Sequence, residues 1–411
     1  MSAERPYDLV LFGASGFTGG LTAEYLARNA PAECRWALAG RDPAKLTALR
    51  ERLAAIEPRC ADLPLLRADA TDRAALREVA ASARVVASTV GPYLRYGEPL
   101  VAACAEAGTD YLDLTGEPEF VDRMYLLHHQ RAVETGARLV HSCGFDSIPH
   151  DLGVLFTVGL LPADVPVRVR GFVRAGGTFS GGTFASALTA VSRPRAAARI
   201  ARARRAADPR PAGRRIRTSA DRPGWSAEAR AWAWPLPTID PQVVGRSAAA
   251  LPGYGPDFGY RHYAAVKRLP VALLGTAGLA LLVGAAQLPA LRRMLEGLRK
   301  PGDGPAAARR ARSWFTVRFV GESGGRRVFT EVSGGDPGYT ETAKMLAESA
   351  LCLAFDELPP TAGQVTTAVA MGSALIDRLT AAGLRFTVLD GPPRTPPGRA
   401  PGLDRPSAVR G

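Results

Sequence analysis

The sequence predicts an α/β protein with a doubly wound parallel sheet in residues 1–150 and a smaller α+β domain in residues 151–390. Three observations lead to this division. Short apolar runs alternate with helical patterns up to residue 150. Isolated strands and helices follow, among them a hydrophobic helical segment at 269–291, and Pro, Gly and Arg dominate from residue 391. We expect residues 391–411 to be disordered, because such a composition buries little apolar surface.

The first domain contains six apolar runs that have the length and the bounding turn residues of strands. They cover residues 8–12, 35–39, 63–67, 85–89, 110–114 and 138–141. Helical patterns lie between them at 18–27, 43–56, 72–81, 98–107 and 118–135. Gly108 and Gly136 stand where helix-terminating glycines belong. Because strands and helices alternate, the sheet should be parallel and covered on both faces.

The second domain begins with a predicted strand at 167–173. Two further strands, 314–320 and 327–332, are joined by Gly324-Gly325 as a hairpin turn. Helices are predicted at 340–355 and 370–382. This mixture of elements indicates an α+β domain.

Positive charge is concentrated in the second domain. The chain has a net charge of +13, and segment 193–222 holds eleven arginines against two aspartates. This Arg-rich insertion is either a solvated, partly disordered segment or a surface that attracts anionic partners such as acidic carrier proteins and lipid headgroups. No aromatic residue interleaves with the arginines to stack on bases, so we predict no nucleic-acid partner.

The cysteines and the N-terminal residues indicate the cellular compartment in which the protein works. Five cysteines without a C-x-x-C pair fit neither a disulfide framework nor a zinc site, so we predict no metal. The first six residues are short and polar, and the first apolar run breaks at Gly13, unlike a signal peptide. We therefore expect the catalytic part to face a reducing cytoplasm.

A glycine-rich stretch, Gly13-Ala14-Ser15-Gly16-Phe17-Thr18-Gly19, follows the first predicted strand at once and begins the first predicted helix. This is the context that the dinucleotide-binding pattern of a Rossmann domain requires. Gly13 permits a tight turn, Gly16 lets the backbone approach a pyrophosphate, and Gly19 allows the helix to pack closely on the sheet. The helix N-terminus offers N–H groups to the phosphates. The predicted cofactor contacts here are Gly13, Ser15, Gly16, Phe17, Thr18 and Gly19.

The end of the second predicted strand, Ala39-Gly40-Arg41, indicates which dinucleotide binds. Domains that bind NAD usually place a carboxylate here for the ribose 2′-hydroxyl, whereas Arg suits a 2′-phosphate. Arg41 therefore predicts NADPH as the cofactor. Asp42 is adjacent, but its position before Pro43 is that of a helix N-cap. Asp69, after the third predicted strand, is either a contact to the adenine side or a turn residue.

Three later loops should lie at the same sheet edge and supply the catalytic groups. Val90 and Gly91, after the fourth strand, are predicted to contact the nicotinamide half of the cofactor. Tyr93, His141 and Ser147 are candidate donors that steady charge on a carbonyl oxygen, or else they support the loops structurally. The Tyr263-Ala264-Ala265-Val266-Lys267 spacing matches that of short-chain dehydrogenases, but it lies too far from the glycine loop, and we interpret it as coincidence.

The apolar segment 269–291 has 23 residues without a charge, flanked by Lys267-Arg268 and Arg292-Arg293. A helix over most of it would approach the roughly 30 Å thickness of a bilayer core. Three interpretations remain open: a membrane-spanning helix, shallow insertion into an anionic membrane surface, and a buried helix that lines a hydrophobic substrate site.

Several stretches together resemble the saccharopine dehydrogenase-like oxidoreductases, and among them the bacterial trans-acting enoyl reductases. They are residues 13–19, 39–41, 90–93 and 97–116, the run Cys143-Gly144-Phe145-Asp146-Ser147-Ile148-Pro149, and the C-terminal residues 331–339 and 343–351. The resemblance spans about residues 6–390. It departs at Ala362-Gly363-Gln364-Val365-Thr366-Thr367-Ala368, where the family pattern has Gly-Gly-x-x-Thr-Pro-Ala.

The resemblance implies an NADPH-dependent oxidoreductase that reduces a carbon–carbon double bond in a polyketide- or lipid-type acyl intermediate of lipid or glycolipid biosynthesis. It also implies that some relatives lie at membranes, so we expect a cytoplasmic protein held peripherally at the plasma membrane, with a small or carrier-bound acyl substrate. Two alternatives remain: a saccharopine-type amino-acid reductase, and a non-catalytic NADP-binding protein associated with lipid. A homodimer is also left open.

Overall fold

A computed structural model describes residues 5–177, 193–208, 211–218, 222–286 and 304–399. Its N-terminal part alternates strand and helix. The elements are β1 (Tyr7–Phe12), α1 (Phe17–Asn29), β2 (Trp36–Gly40), α2 (Pro43–Ala54), β3 (Leu65–Arg67), α3 (Arg73–Ser82), β4 (Ala83–Ser88), α4 (Tyr93–Tyr96), α5 (Glu98–Ala107), β5 (Asp110–Asp113), α6 (Pro118–Thr135) and β6 (Arg138–Val140). A 3₁₀ turn, Pro58–Asp62, precedes β3.

The rest of the described chain mixes the two types of element. In order they are α7 (Ile148–Val158), β7 (Val167–Gly176), α8 (Pro194–Ala207), β8 (Arg215–Thr218), β9 (Gly224–Ser226), β10 (Ala231–Pro235), α9 (Asp240–Ala250), β11 (Asp257–Val266), α10 (Leu269–Ala286), α11 (Ala307–Arg310), β12 (Trp314–Ser323), β13 (Arg326–Gly334), α12 (Thr340–Phe355), β14 (Gly363–Val365), α13 (Thr367–Ala370), α14 (Gly372–Ala381) and β15 (Arg385–Leu389). A 3₁₀ turn, Pro252–Tyr254, precedes β11.

The first sheet is parallel and has the strand order β14-β6-β5-β4-β1-β2-β3. The order reverses beside β1, where β2 lies on one side and β4 on the other. This confirms the predicted doubly wound sheet. Strand β2 is buried along its whole length, and β1 is buried except at Tyr7, because helices cover both faces. The carboxyl ends of β1 and β4 form the crevice in which such sheets bind ligands.

The second sheet is mixed, with the order β15-β13-β12-β7-β11-β10-β9 and β8 paired to β11. The β12–β13 hairpin turns at Gly324 and Gly325, whose φ angles of 56° and 79° suit glycine. Helix α7 leads from the first sheet to this one and packs against β12 and β13. The predicted α/β fold with a second, mixed sheet is therefore confirmed.

The C-terminal part of the chain returns to the first sheet. Helix α12, whose predicted range 340–355 matches the structure, packs against α1 and against β1, β4 and β5. Strand β14 pairs in parallel with β6, with Val365 opposite Val140. The division into domains at residue 150 remains a prediction, and these two elements show that the first sheet is completed by residues from beyond it.

Segment 362–368, where the chain departs from the expected family pattern, forms β14 and the start of α13. Gly363 has a φ of 85°, and Thr366 caps α13 by accepting a hydrogen bond from Val369. Asp151 then accepts hydrogen bonds from the Thr367 hydroxyl at 2.7 Å and from the Ala368 amide at 2.9 Å. The altered sequence therefore still anchors this strand and helix to α7.

The two unusual segments of the second domain are partly described. Residues 194–207 of the Arg-rich insertion form α8, which packs on α6, whereas 209–210 and 219–221 lie outside the described residues. Helix α10 contains most of the apolar segment, and 287–291 lie outside the described residues, as do 400–411 of the predicted disordered tail. Within the described ranges, no helix is both long enough and apolar enough to cross a lipid bilayer.

Candidate active site

The glycine-rich loop joins β1 to α1 at the crevice. Gly13 has a φ of 85°, and its N–H donates to the Ala39 carbonyl at 2.9 Å. A Cβ on Gly19 would lie 2.2 Å from the Gly13 carbonyl oxygen, so this glycine is required for the helix to pack here. Thr89, after β4, fastens the loop by donating its hydroxyl hydrogen to the Gly13 carbonyl at 3.0 Å.

Gly16 has the geometry expected for contact with a pyrophosphate. It is exposed and is the N-cap residue of α1, where no side chain caps the helix. A Cβ there would meet only the Gly13 carbonyl, at 3.3 Å, so the side of Gly16 that faces solvent stays open. The free N–H groups and the positive end of the helix dipole at α1 therefore fit a bound phosphate. Ser15 is exposed, and Thr18 is partly buried.

Arg41 and Asp69 lie near one another beyond the ends of β2 and β3. Arg41 is exposed. Asp69 accepts hydrogen bonds from the amide and hydroxyl of Thr71, and these, with the nearby Arg41, hold the Asp69 pKa below its usual value. Asp42 accepts from the Ala44 and Lys45 amides as the N-cap of α2. Asp42 is therefore occupied, and the exposed guanidinium of Arg41 fits a 2′-phosphate.

The loop after β4 brings Val90 and Gly91 to the crevice, while Tyr93 points away from it. Val90 is partly buried and Gly91 exposed. The Tyr93 hydroxyl donates to the Ser88 carbonyl and accepts from the Leu114 amide, each at 3.1 Å. Burial raises the Tyr93 pKa well above its usual value. The structural alternative for Tyr93 is therefore favoured: it ties the end of β4 to the end of β5.

His141 directly follows β6 and is buried. Its Nδ1 lies 2.6 Å from the Asp113 carboxylate, which also accepts from the Ser142 and Thr115 amides at 2.9 and 3.0 Å. Asp113 thus holds the loops after β5 and β6 together. The Nε2 atom of His141 is buried without a hydrogen-bond partner among the described residues. The Ser147 hydroxyl is likewise buried and unpartnered, although Ser147 begins α7.

A buried cluster that the sequence did not single out lies beside Ser147. Asp240, at the start of α9, has one carboxylate oxygen 2.7 Å from His150 Nδ1 and the other 3.6 Å from His262 Nε2. The two imidazole rings meet edge-on at 4.7 Å, and Tyr260 contacts His262 Nδ1 at 3.0 Å. These groups come from three separate segments, and only His150 directly follows the family run at 143–149.

Asp240 and His262 of this cluster differ in whether they carry a charge. Burial on its own raises the Asp240 pKa, but His150 and His262 outweigh it and hold that pKa below its usual value. Burial lowers the His262 pKa to about 3, although Asp240 acts in the opposite direction, so this ring is neutral. Asp240 is therefore an ionised carboxylate in the interior, supported by imidazole groups.

Asp146 lies close enough to Asp240 and His150 for their charges to affect it. Its Oδ2 would lie 3.1 Å from a Cβ on Gly116, so the carboxyl faces the loop after β5. Burial raises the Asp146 pKa to about 6; Asp240 acts in the same direction and His150 in the opposite one. A carboxyl with such a pKa is partly protonated near neutral pH and can donate a proton.

The loop at 333–339 closes the other side of the crevice. The ring of Tyr339 meets Phe17 of the glycine-rich loop edge-on at 4.9 Å. The Thr342 hydroxyl accepts from the Phe145 amide at 3.2 Å and donates to the Pro337 carbonyl at 2.7 Å. The structure thus brings together three of the stretches that carry the family resemblance, residues 13–19, 143–149 and 331–339.

Two further sequence interpretations concern Tyr263 and metals. Tyr263 lies in β11 of the second sheet and stacks on Phe172 at 5.4 Å, away from the glycine-rich loop. Among the residues that the structure describes, no three His, Cys, Asp or Glu side chains are grouped so as to hold a metal ion.

Comparison with known proteins agrees with this geometry. The family described as saccharopine dehydrogenase NADP binding domain matches residues 9–140. A Mycobacterium tuberculosis protein that provisionally carries the name trans-acting enoyl reductase is 40% identical over 420 residues, covering 92% of this chain and 97% of its own. A Mycobacterium ulcerans trans-acting enoyl reductase is 36% identical, covering 93% and 98%. Saccharopine dehydrogenase from Saccharomyces cerevisiae aligns over 93% of this chain and 100% of its own, with 14% identity and a TM-score of 0.47.

The cofactor of the matched domain fits the residues present. The open side of Gly16, the uncapped α1 and the exposed Arg41 supply a place for a pyrophosphate and a 2′-phosphate. NADPH is therefore the cofactor, as the sequence predicted. The chain is an NADP-dependent oxidoreductase that belongs to the trans-acting enoyl reductases of the saccharopine dehydrogenase-like family.

Proposed function

We propose that the protein reduces the carbon–carbon double bond of a hydrophobic enoyl substrate, with Asp146 as the proton donor. The observation that carries this proposal is the half-buried Asp146 carboxyl, which faces Gly116 at the sheet edge where the cofactor loops end. The names of the relatives support the reaction type. The enoyl group conjugated to a carbonyl needs a hydride at its β-carbon and a proton at its α-carbon.

The chain's residues supply positioning and the proton. NADPH, when bound, supplies the hydride. Burial, together with the ionised Asp240 nearby, disfavours a second negative charge and raises the pKa of Asp146. His150 lies beside Asp240 and limits this effect. With a pKa of about 6, Asp146 can both donate its proton and be protonated again near neutral pH. A general acid must do both in each turnover.

The substrate we propose is an acyl intermediate of polyketide or lipid synthesis, free or bound to a carrier protein. Helix α8 exposes four arginines on the surface of the second domain: Arg195, Arg199, Arg202 and Arg205. Acyl carrier proteins of acidic character would be attracted by this basic helix. The apolar helix α10 suits a substrate or a surface that is itself apolar.

We also propose that the protein binds peripherally to anionic membranes. Leu274 and Leu281 of α10 are 74% and 76% exposed, and Lys267-Arg268 precede the helix. Exposed apolar side chains next to basic residues combine the two signals that give stable peripheral binding.

Oxidation of NADPH by the full-length protein tests the activity. A medium-chain enoyl thioester should be reduced, whereas an amino acid mixed with an aldehyde should not. Oxidation only with the amino acid and aldehyde would instead support a saccharopine-type reductase. Tight NADPH binding with neither substrate consumed would support the non-catalytic, lipid-associated alternative.

A further inference from the structure

A cavity of about 350 Å³ that is partly open to solvent lies beside β6 and β14 and is lined by α6, α8, α9 and α13. Strand β14 is four strands from β1 in the sheet, which at about 4.8 Å per strand places the cavity roughly 19 Å from the glycine-rich loop. The cavity is thus separate from the dinucleotide crevice. The polar side chains in its wall are Tyr125, His129, His141, Arg204, Asp208, Arg246, Gln364 and Thr366.

Three buried polar atoms on these side chains have neither a hydrogen-bond nor an ion-pair partner within the described ranges. They are Nε2 of His141, Oε1 of Gln364 and Nε of Arg204. His141 is only 5% exposed, and because its Nδ1 faces Asp113, its Nε2 is on the side of the ring away from Asp113. An unpartnered buried polar group costs about 1–3 kcal/mol, and three in one cavity indicate a polar ligand.

The charges in the wall favour an anion. Arg204 is 4% exposed, lies over the ring of Tyr125, and pairs with Asp208 at 2.9 Å through Nη1 alone. Burial lowers the Arg204 pKa, and the nearby Arg246 acts in the same direction. Two guanidinium groups therefore share this wall, and Asp122 pairs with Arg246. An anionic group next to the Arg204 Nε–H would accept the hydrogen bond that this donor lacks. It would also reduce the repulsion between the two guanidinium groups.

The remainder of the wall is apolar. It consists mainly of small aliphatic side chains: Val121, Val243, Ala249, Ala250, Val365 and Val369. His129 stacks on Tyr125 at 4.2 Å, and its Nδ1 accepts a hydrogen bond from the Gln364 backbone amide at 3.0 Å, so that side is closed by rings. A ligand that fills the cavity therefore needs a short hydrocarbon body in addition to its charged group.

We propose that this cavity is a binding site for a short-chain carboxylate, whose carboxylate accepts the hydrogen bond of the Arg204 Nε–H and whose hydrocarbon body contacts the valines. The proposal stands independently of the enoyl reductase activity. Asp113 is bonded to His141 and also accepts hydrogen bonds from the amides of Thr115 and Ser142. A ligand on the Nε2 side of His141 is therefore connected through Asp113 to the loops that follow β5 and β6.

Calorimetric titration of the full-length protein with hexanoate, in the presence of saturating NADPH, tests this site. Hexanoate should bind the wild type, and Arg204→Gln should weaken binding by about 10-fold to 150-fold, the range for a charge-assisted hydrogen bond. Arg202→Gln is the matched control, because Arg202 is exposed on the same helix, and should leave affinity unchanged. Hexanol, which lacks the charge, should bind at least about tenfold more weakly.

Val369→Phe tests the same cavity from the opposite wall. Val369 is only partly buried, so the larger ring is accommodated at the surface while it fills the cavity, and hexanoate binding should be lost. This variant decides the question if Arg204→Gln does not fold. Absence of hexanoate binding to the wild type, equal binding of hexanol, or unchanged binding by either folded variant would each overturn the proposal.

Discussion

Replacement of Asp146 with asparagine should make the protein less active and more stable at the same time. The amide cannot release a proton to the α-carbon of the substrate, so the general acid is lost. The amide also carries no charge, so the variant escapes the cost of an ionised carboxylate near Asp240. A residue that only supports the structure would be expected to lose stability when it is changed.

The magnitudes follow from the pKa of Asp146. General acid catalysis contributes about 10²- to 10⁴-fold, so the reduction rate should fall by about that factor. Burial raises the pKa from 3.8 to about 6, so the folded state binds the proton more tightly than the unfolded chain. The stability that protonated Asp146 provides is complete below about pH 4 and is lost as the pH rises to about 6. At about 1.4 kcal/mol per pH unit, the loss is at most about 3 kcal/mol.

Urea unfolding at pH 5 and pH 8, together with NADPH oxidation, measures both effects. Asp146→Asn should raise the free energy of unfolding at pH 8, with a smaller gain at pH 5. Wild-type activity should decline as the pH rises above about 6, because the protonated carboxyl is depleted. Asp164→Asn changes an exposed carboxyl before β7 and should alter neither property. A variant that retains wild-type activity, or that is destabilised at pH 8, would refute the role of Asp146.

Three further predictions concern the cofactor and the membrane. Arg41→Ala should weaken NADPH binding by about 10-fold to 150-fold and leave NADH binding unchanged; an unaltered preference would remove Arg41 from the site. Gly16→Val should fold, as judged by circular dichroism, but bind no NADPH, because its side chain takes the place of the pyrophosphate. Changing both Leu274 and Leu281 to Asp should release the protein from anionic liposomes, while Leu127→Asp, at a 54% exposed leucine on α6, should not. Wild type that stays in the supernatant would contradict the membrane proposal.

Much of the first sheet could be predicted because its signals are local. Apolar runs mark the strands, and Asp42 and Gly108 mark helix ends by their capping chemistry, which the structure confirms. Strand β14 was missed because three residues that include Gln364 carry no periodicity. Its place beside β6 depends on a pairing between residues far apart in sequence.

The cofactor half of the site was predictable for the same reason, and the proton donor was not. The glycine-rich loop and Arg41 lie within one strand–helix–strand unit, so the spacing alone places them. Asp240 and His262 belong to other segments, and no local pattern joins them to His150. The run at 143–149 contains Asp146, but only the burial seen in the folded chain distinguishes this carboxyl from an ordinary turn residue.

Hydride transfer traced with deuterium tests the proposed reaction most directly. The full-length protein would be incubated with NADPH deuterated at the transferable position and a medium-chain enoyl thioester, and the product analysed by mass spectrometry. Enoyl reduction predicts a saturated thioester with one deuterium at its β-carbon, formed at a much lower rate by Asp146→Asn. Recovery of the unsaturated thioester, or a saturated product without deuterium at the β-carbon, would contradict it.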